Sequence, residues 1–381
     1  MALQSPSQSA SYAQSAVYKL DLSDVLSAIL LDDTDFISMI GISNEVATQT
    51  KHQWVEDALN ATTIVQTNGN SYLSGTTATV IVFSANISLI TAGTLMKDRL
   101  SGKREVVQVT AVNGISATVV RGFGSTSAAA HAQGATWDII ANARPQGMAG
   151  PKDTSTGRSL AYNYTQIFSK GVRITGTAEA IEHAGVSAED DYQIDLRLRE
   201  LKRELDRTAI MGVRGGDASS TVYTTMGGMI NWLSVINTGN IIKTAETLTP
   251  TVLNTMIKKA WDLGLYPDTV LVGGVQKQKI SAFDSEFRRS TMDVRRAGYT
   301  IEEFVSDLGI SLQVIVDRWV PNDVCIVFEK SRVKLMPLNG RAFFLEKLGK
   351  TADSEDWQIV GEYTMEFRNA NTAVYHDTLK Q

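Results

Sequence analysis

Residues 187–212 read SAEDDYQIDLRLRELKRELDRTAIMG, and the rest of the chain is organised around them. Ser187 can cap a helix, Glu189, Asp190 and Asp191 fall in a first turn where the helix dipole favours negative charge, and no proline or glycine interrupts before Gly212. Ile194, Leu198, Leu201, Leu205 and Ala209 recur at spacings of four and three, while Arg197, Lys202, Arg203, Glu204 and Arg207 cover the other faces. The spacing predicts one amphipathic helix over 187–212, roughly 39 Å long. With no coiled-coil heptads beside it, such a helix is the backbone of a domain.

The 381 residues, 43% hydrophobic and 20% charged, suffice for a large core and two or three structural units. The single cysteine, Cys325, sits in the apolar run 324–328, which reads as a buried strand and excludes an internal disulfide. No apolar run approaches the roughly 20 residues needed to span a bilayer, and the polar start MALQSPSQSASYAQSA is not a signal peptide, so a soluble protein made in a cytoplasm is expected. A net charge of −5 disfavours direct readout of nucleic acid without a local basic patch.

Residues 1–19, rich in Ser, Gln and Ala, form an arm too polar to order itself. Leu22, Val25, Leu26, Ile29 and Leu30 then follow helical spacing behind Asp21, a short amphipathic helix that must dock on something. Segments 34–41 and 50–59 carry large aromatics without a clear period. From 76 to 143 the chain turns to short β-type runs, with strands expected at 79–83, 103–112, 115–121 and 136–140 and a hairpin signal at Asn113-Gly114. This reads as an inserted small β subdomain, whose tip is the small-residue loop 122–131 and whose exit is the Pro/Gly linker 143–151. A strand-like stretch at 162–174 leads back to the long helix.

Beyond it, Thr249-Pro250 opens a helix to about Leu263, 268–272 is a strand, and a second helix runs from Val275 to about Phe287. Strands are expected at 310–317 and 323–329, and in 362–368 Tyr363, Met365 and Phe367 share one face. Those last strands are expected to pack on the long helix and close an α+β core.

No catalytic constellation emerges. His52, His131, His183 and His376 are scattered, read as loop or surface residues, and lack zinc spacing. Gly349-Lys350-Thr351 resembles the end of a phosphate-binding loop, but Phe344 occupies the place of its first glycine. Gly273-Gly274 is read as a turn, and no GxSxG elbow occurs. The pairs Arg288-Arg289 and Arg295-Arg296 form a local basic cluster that could meet acidic neighbours or phosphates, although a solvated face is the commoner meaning of such a run. The acidic run 189–191 needs no metal to explain it.

The order of parts and several segments carry a resemblance. DLSDVL (21–26), TDFISMI (34–40), HQWVEDAL (52–59), VVRGFG (119–124) and EYTMEFR (362–368) are similar to hallmarks of a major-head family, and the chain resembles the major capsid proteins of tailed bacteriophages. Relatives can carry proline after the threonine of the second segment, where this chain has Asp35, a change expected to alter the local turn.

The resemblance implies an α+β chain of the Hong Kong-type capsid fold. It implies an N-terminal arm over 1–50, an extended loop over 51–175 with an insertion at about 76–143, and a peripheral domain over 176–219 with its spine helix. An axial domain over 220–330 and return strands of the peripheral domain over 331–381 complete the implied layout. It further implies a virion-head protein, not an enzyme, without cofactor or metal, made in the host bacterial cytoplasm. Copies would assemble as hexamers and pentamers around double-stranded DNA without sequence-specific contact. Portal protein and possible scaffolding and decoration proteins would be partners, and no membrane is involved. Expected assembly contacts are Leu22, Val25, Leu26, Trp54, Phe123, Arg288, Arg289, Arg295 and Arg296.

An arm and a hairpin excursion that cannot bury themselves would leave strand edges for neighbours to cover. Arm and loop are expected to reorient as a rounder precursor shell becomes angular. A bacterial nanocompartment shell is the alternative of the same implied fold; a β-rich hydrolase and a tail or decoration protein are further rivals.

Overall fold

The computed structural model describes residues 34–67, 73, 75–99, 104–147, 153–181, 189–216, 223–283, 288–290, 302–350 and 352–380. It divides into two units, one of residues 55–160 and one made of the segments on either side.

Helix α1 (Asp35–Ile40) and strand β1 (Lys51–Glu56) come first, in the two segments that showed no period. The 55–160 unit then supplies β2 (Thr63–Val65), β3 (Val80–Val82), β4 (Thr94–Asp98), β5 (Val106–Asn113), β6 (Ser116–Val120) and β7 (Thr136–Asn142). Their order is β2-β7-β4-β5-β6-β3, and a bridge between Gln66 and Phe83 joins the two ends. There the Thr67 N–H donates to the Val82 carbonyl at 2.9 Å and the Ser84 N–H to that of Val65 at 3.0 Å, closing a six-stranded barrel. Ile64, Ile81, Met96, Val107, Val109, Ala117, Val119 and Trp137 fill it.

Four of these strands lie where the sequence places them, but β2 and β4 were not expected, and the β structure begins at 63 rather than 76. Closure also corrects the expectation of bare strand edges in the insertion, because its edges pair with each other. The β5–β6 hairpin turns on Gly114-Ile115, with Asn113 paired to Ser116, one residue later than expected. Gly114, at φ +57°, supplies the positive angle that primed turns need at their first central position.

On the return, β8 (Ser159–Tyr164) pairs with β1 as a two-stranded ribbon, and β9 (Gln166–Thr175) and α2 (Gly176–Ala180) lead to α3 (Glu189–Met211). This spine helix has 23 residues, about 35 Å. Its expected cap, Ser187, lies outside the described residues. Leu201, Leu205 and Ala209 are buried as the spacing requires, Ile194 and Leu198 partly so, and Asp206 is buried among them.

A mixed segment follows: α4 (Met229–Asn231), running on into a wider turn at 232–236, β10 (Ile241–Ile242), α5 (Pro250–Asp262), β11 (Thr269–Val272) and α6 (Gly274–Ser281). Then come β12 (Arg288–Ser290), β13 (Glu302–Val305), β14 (Ser311–Val316) and β15 (Cys325–Phe328). With β19 (Val374–His376) the strands form one sheet ordered β10-β19-β15-β11-β14-β13-β12. The Thr249 hydroxyl accepts the Val252 N–H at 3.3 Å with Pro250 at the first helical position, as the sequence signals. Helix α6 ends at Ser281, short of the expected 287. Cys325 is buried, and burial pushes its thiol up to about 12.

The chain closes on the spine through β16 (Val333–Pro337), β17 (Phe344–Lys347) and the 14-residue β18 (Ser354–Phe367). Strand β18 pairs with β9 along 354–363 and with β16 and β17 on its other edge. Tyr363, Met365 and Phe367 share a core with Leu201 and Leu205, as expected. The opposite face, although polar, is also buried: Glu362, Thr364 and Glu366 are at most 5% exposed. The chain's own polar groups cover it. The Thr165 hydroxyl donates to Glu362 at 2.6 Å, and His52 (2.9 Å) and Arg368 hold Glu366. Burial pushes the Glu366 carboxyl up, but those two partners outweigh it and keep it below the usual range.

Candidate assembly surfaces

The β1–β8 ribbon is fixed at one end and bare at the other. At the fixed end Trp54 packs on Trp232, ring centroids 5.3 Å apart, and the Lys51 ammonium and Arg214 guanidinium each lie 4.2 Å from the Tyr162 ring centre. Asn163, fully buried, donates to the carbonyls of Gly227 (3.0 Å) and Met365 (2.7 Å) and accepts the Gly227 N–H at 2.9 Å. At the far end Val55, Leu59 and Leu160 are 59%, 97% and 66% exposed. Two strands alone are marginal in water, so this ribbon is incomplete without further cover.

At one end of the barrel the loop after β6 is stapled by charge. Arg121 donates through Nε and Nη2 to the two oxygens of Glu105, at 2.7 and 2.8 Å, and its other bonds reach the carbonyls of Gly75, Ala78 and Ala129. Glu105 also accepts the N–H groups of Gly122 (3.0 Å) and Ala129 (2.8 Å). His131 faces Asp98 through Nδ1 at 2.7 Å and Glu105 through Nε2 at 2.9 Å, with its ring 4.6 Å from that of Trp137. Burial would raise the Glu105 carboxyl, but Arg121, the Ala129 N–H, His131 and the Gly122 N–H together bring it down to about 2. Each partner is a loop backbone group or another member of the network, which is how a loop is fixed rather than how a substrate is bound.

The VVRGFG segment is therefore a structural device. Gly122, at φ +59°, could not carry a side chain, because a Cβ would lie 2.6 Å from the Thr126 carbonyl oxygen. Phe123, an expected contact, is half-buried on this loop.

The other expected contacts are not brought together. Trp54, an expected contact, is only 6% exposed and lies in the chain's own core, its ring packed against that of Trp232. Arg288 and Arg289 lie on β12, paired in register with Phe304 and Glu303, while Arg295 and Arg296 fall outside the described residues, as do Leu22, Val25 and Leu26. The histidine reading also changes. His131 and His376 are buried and face carboxylates, His376 lying 3.3 Å from Glu246, and His183 is outside the described residues. No sequence signal marks Glu105, Asn163 or Asp206, whose partners are distant along the chain. Among the described residues, no group of three or more His, Cys, Asp or Glu is placed to hold a metal, and no helix is long and apolar enough to cross a membrane.

The chain is similar to several known proteins. The profile of the SU10 major capsid protein family matches residues 6–378. The major capsid protein of Escherichia phage Phieco32 is 21% identical over 278 residues, 60% of this chain and 78% of that protein. The capsid asymmetric unit of cyanophage A-1(L) is 11% identical and covers 97% of this chain and 99% of its own, with a TM-score of 0.55. The holo-SrpI encapsulin complex from Synechococcus elongatus PCC 7942 is 12% identical over 58% of this chain and 76% of its own, with a TM-score of 0.43. A spine helix packed on its return strands, a mixed sheet unit and an extended β excursion form the Hong Kong-type α+β fold of a tailed-phage major capsid protein, and the chain belongs to the SU10 major capsid protein family.

Proposed function

We propose that copies of this chain close into hexamers and pentamers that tile an icosahedral or prolate head around double-stranded DNA, and that the bare end of the β1–β8 ribbon is a principal contact between them. The observation that carries the contact is the exposure of Val55 and Leu160 on a sheet of only two strands, with Leu59 exposed just beyond β1. Heterologous contacts whose rotation closes produce rings, and many weak contacts engaged together hold a shell. The net charge of −5 suits a wall along which packed DNA slides without sequence-specific contact. Synthesis in the host bacterial cytoplasm and partnership with portal, scaffolding and decoration proteins belong to the same reading. Phe123, the arginine pairs of 288–296 and the apolar residues of 22–26 remain candidate contacts within it. An enzymatic role has no support from the Glu105 network, whose groups are occupied by one another and by backbone.

The test is Val55→Asp with Leu160→Asp. The variant keeps wild-type circular dichroism and hydrogen-exchange protection in the barrel and spine, while negative-stain imaging shows no rings or shells. A folded variant that assembles like wild type overturns the ribbon's role.

A further inference from the structure

Asp206 interrupts the apolar stripe of the spine helix and is fully buried. Its Oδ1 accepts the Ile37 N–H at 2.8 Å, while Oδ2 is buried without a donor among the described residues. The carboxyl facing it is that of Asp317, 1% exposed in the turn after β14. Asp317 accepts the Trp319 N–H at 2.7 Å on Oδ1 and the Phe36 N–H at 3.2 Å on Oδ2. Three of the four carboxyl oxygens are thus taken by backbone N–H groups, two of which belong to the start of α1. The fourth points at a second carboxyl.

Two ionised carboxylates cannot be buried face to face, whereas one proton between them converts repulsion into a hydrogen bond. A metal ion is a poor occupant, since it needs several free oxygens and only one is free. The other charges at the site do not relieve the pair. Asp35 on α1 adds to the repulsion, Arg207 lies over the Trp319 ring at 5.5 Å, and Lys334 on β16 is tied to Glu45 at 2.7 Å. Burial first, then the charge of Asp317 and the hydrogen bond with it, push the Asp206 carboxyl up to about 8 against the pull of the Ile37 N–H.

We propose that Asp206 and Asp317 form a proton latch: one shared proton holds α1 on the spine helix, and its loss to water releases α1 at the point where residues 1–33 join the unit. The sign follows from linkage. The docked state binds the proton more tightly than the open state, so docking is strongest below the ordinary carboxyl value near 3.8, weakens as pH rises, and levels off above about 8. Docking of α1 is thereby set by pH through two buried side chains, with no ligand required.

Hydrogen exchange of the Phe36 and Ile37 amides in the full chain, corrected for intrinsic rates, tests this between pH 5 and 9. In the wild type protection falls several-fold per pH unit, about tenfold being the limit for one proton, and flattens above about 8. Asp206→Asn keeps an oxygen for Ile37 and offers its amide to Asp317, and its profile is flat over the same range. Asp317→Asn provides the same comparison if the first variant folds poorly. Flat wild-type protection, or an equal slope in a folded Asn variant, overturns the proposal.

Discussion

Glu105→Gln probes the account of the barrel most sharply, because it changes one charge and almost no volume. Glu105 accepts five donors: two from Arg121, the Gly122 and Ala129 N–H groups, and His131. Glutamine keeps one acceptor oxygen, turns an NH2 toward donors, and leaves the Arg121 guanidinium, 7% exposed, without a carboxylate. Two routes give the magnitude. Breaking a buried pair by removing one partner costs about 3–5 kcal/mol. The Glu105 carboxyl, brought from 4.5 down to about 2, points the same way, to a preference of roughly 3 kcal/mol for the ionised form. Both put the loss near 3–4 kcal/mol at pH 7, confined to the 55–160 unit.

Urea unfolding followed by hydrogen exchange in β5, β6 and β7 reads that unit separately, which matters because a chain of two units need not unfold in one step. The sign with pH is fixed. The native carboxyl titrates below its unfolded value, so its contribution is complete above about 4.5 and drains away toward 2. The gap between wild type and variant is therefore widest at neutral pH and narrows with acid. A variant within 1 kcal/mol of wild type at pH 7, or a gap that stays constant from pH 6 to 3, would refute the reasoning, that limit being about a third of the expected effect.

Three further substitutions separate structure from assembly. Gly122→Ala forces a Cβ to 2.6 Å from the Thr126 oxygen at positive φ and is expected to lower barrel stability by about 1–3 kcal/mol, measured by thermal unfolding of that unit. Trp54→Ala removes a core ring packed against Trp232 and should cost about 3–5 kcal/mol in the unassembled chain; no change there would return Trp54 to the surface. Thr249→Ala deletes the hydroxyl that caps α5 and should cost about 1 kcal/mol, read as a drop in urea midpoint with unchanged slope.

The elements legible in the sequence are those whose signal is local. The spine helix follows from apolar spacing, α5 from Thr249-Pro250, and the inward face of β18 from its alternation. What escaped depends on partners distant in sequence. Strand β2 is three residues long, and β4 places Thr94 and Asp98 inward beside Met96, so neither shows the usual apolar alternation. Both faces of β18 are buried because His52 and Arg368 satisfy Glu366, and periodicity carries no trace of that pairing. Asp206 was invisible for the same reason: only Asp317 and the start of α1, more than 100 residues away on either side, make its burial tolerable. The insertion's strand edges were legible, but its closure was not, since closure rests on a single bridge at Gln66 and Phe83.

The chain covers itself unevenly. The barrel pairs its own edges, whereas the ribbon has only two strands and leaves Val55 and Leu160 exposed, with Leu59 exposed just beyond it. That unequal cover makes assembly the test of the whole account. Sedimentation of the purified full chain across a hundredfold range of concentration, with cryo-EM of the heavy fraction, is the direct measurement. Ring-shaped oligomers or closed shells at high concentration are the predicted result. A single 41.5 kDa species throughout, with the ribbon residues protected inside the monomer, would contradict it.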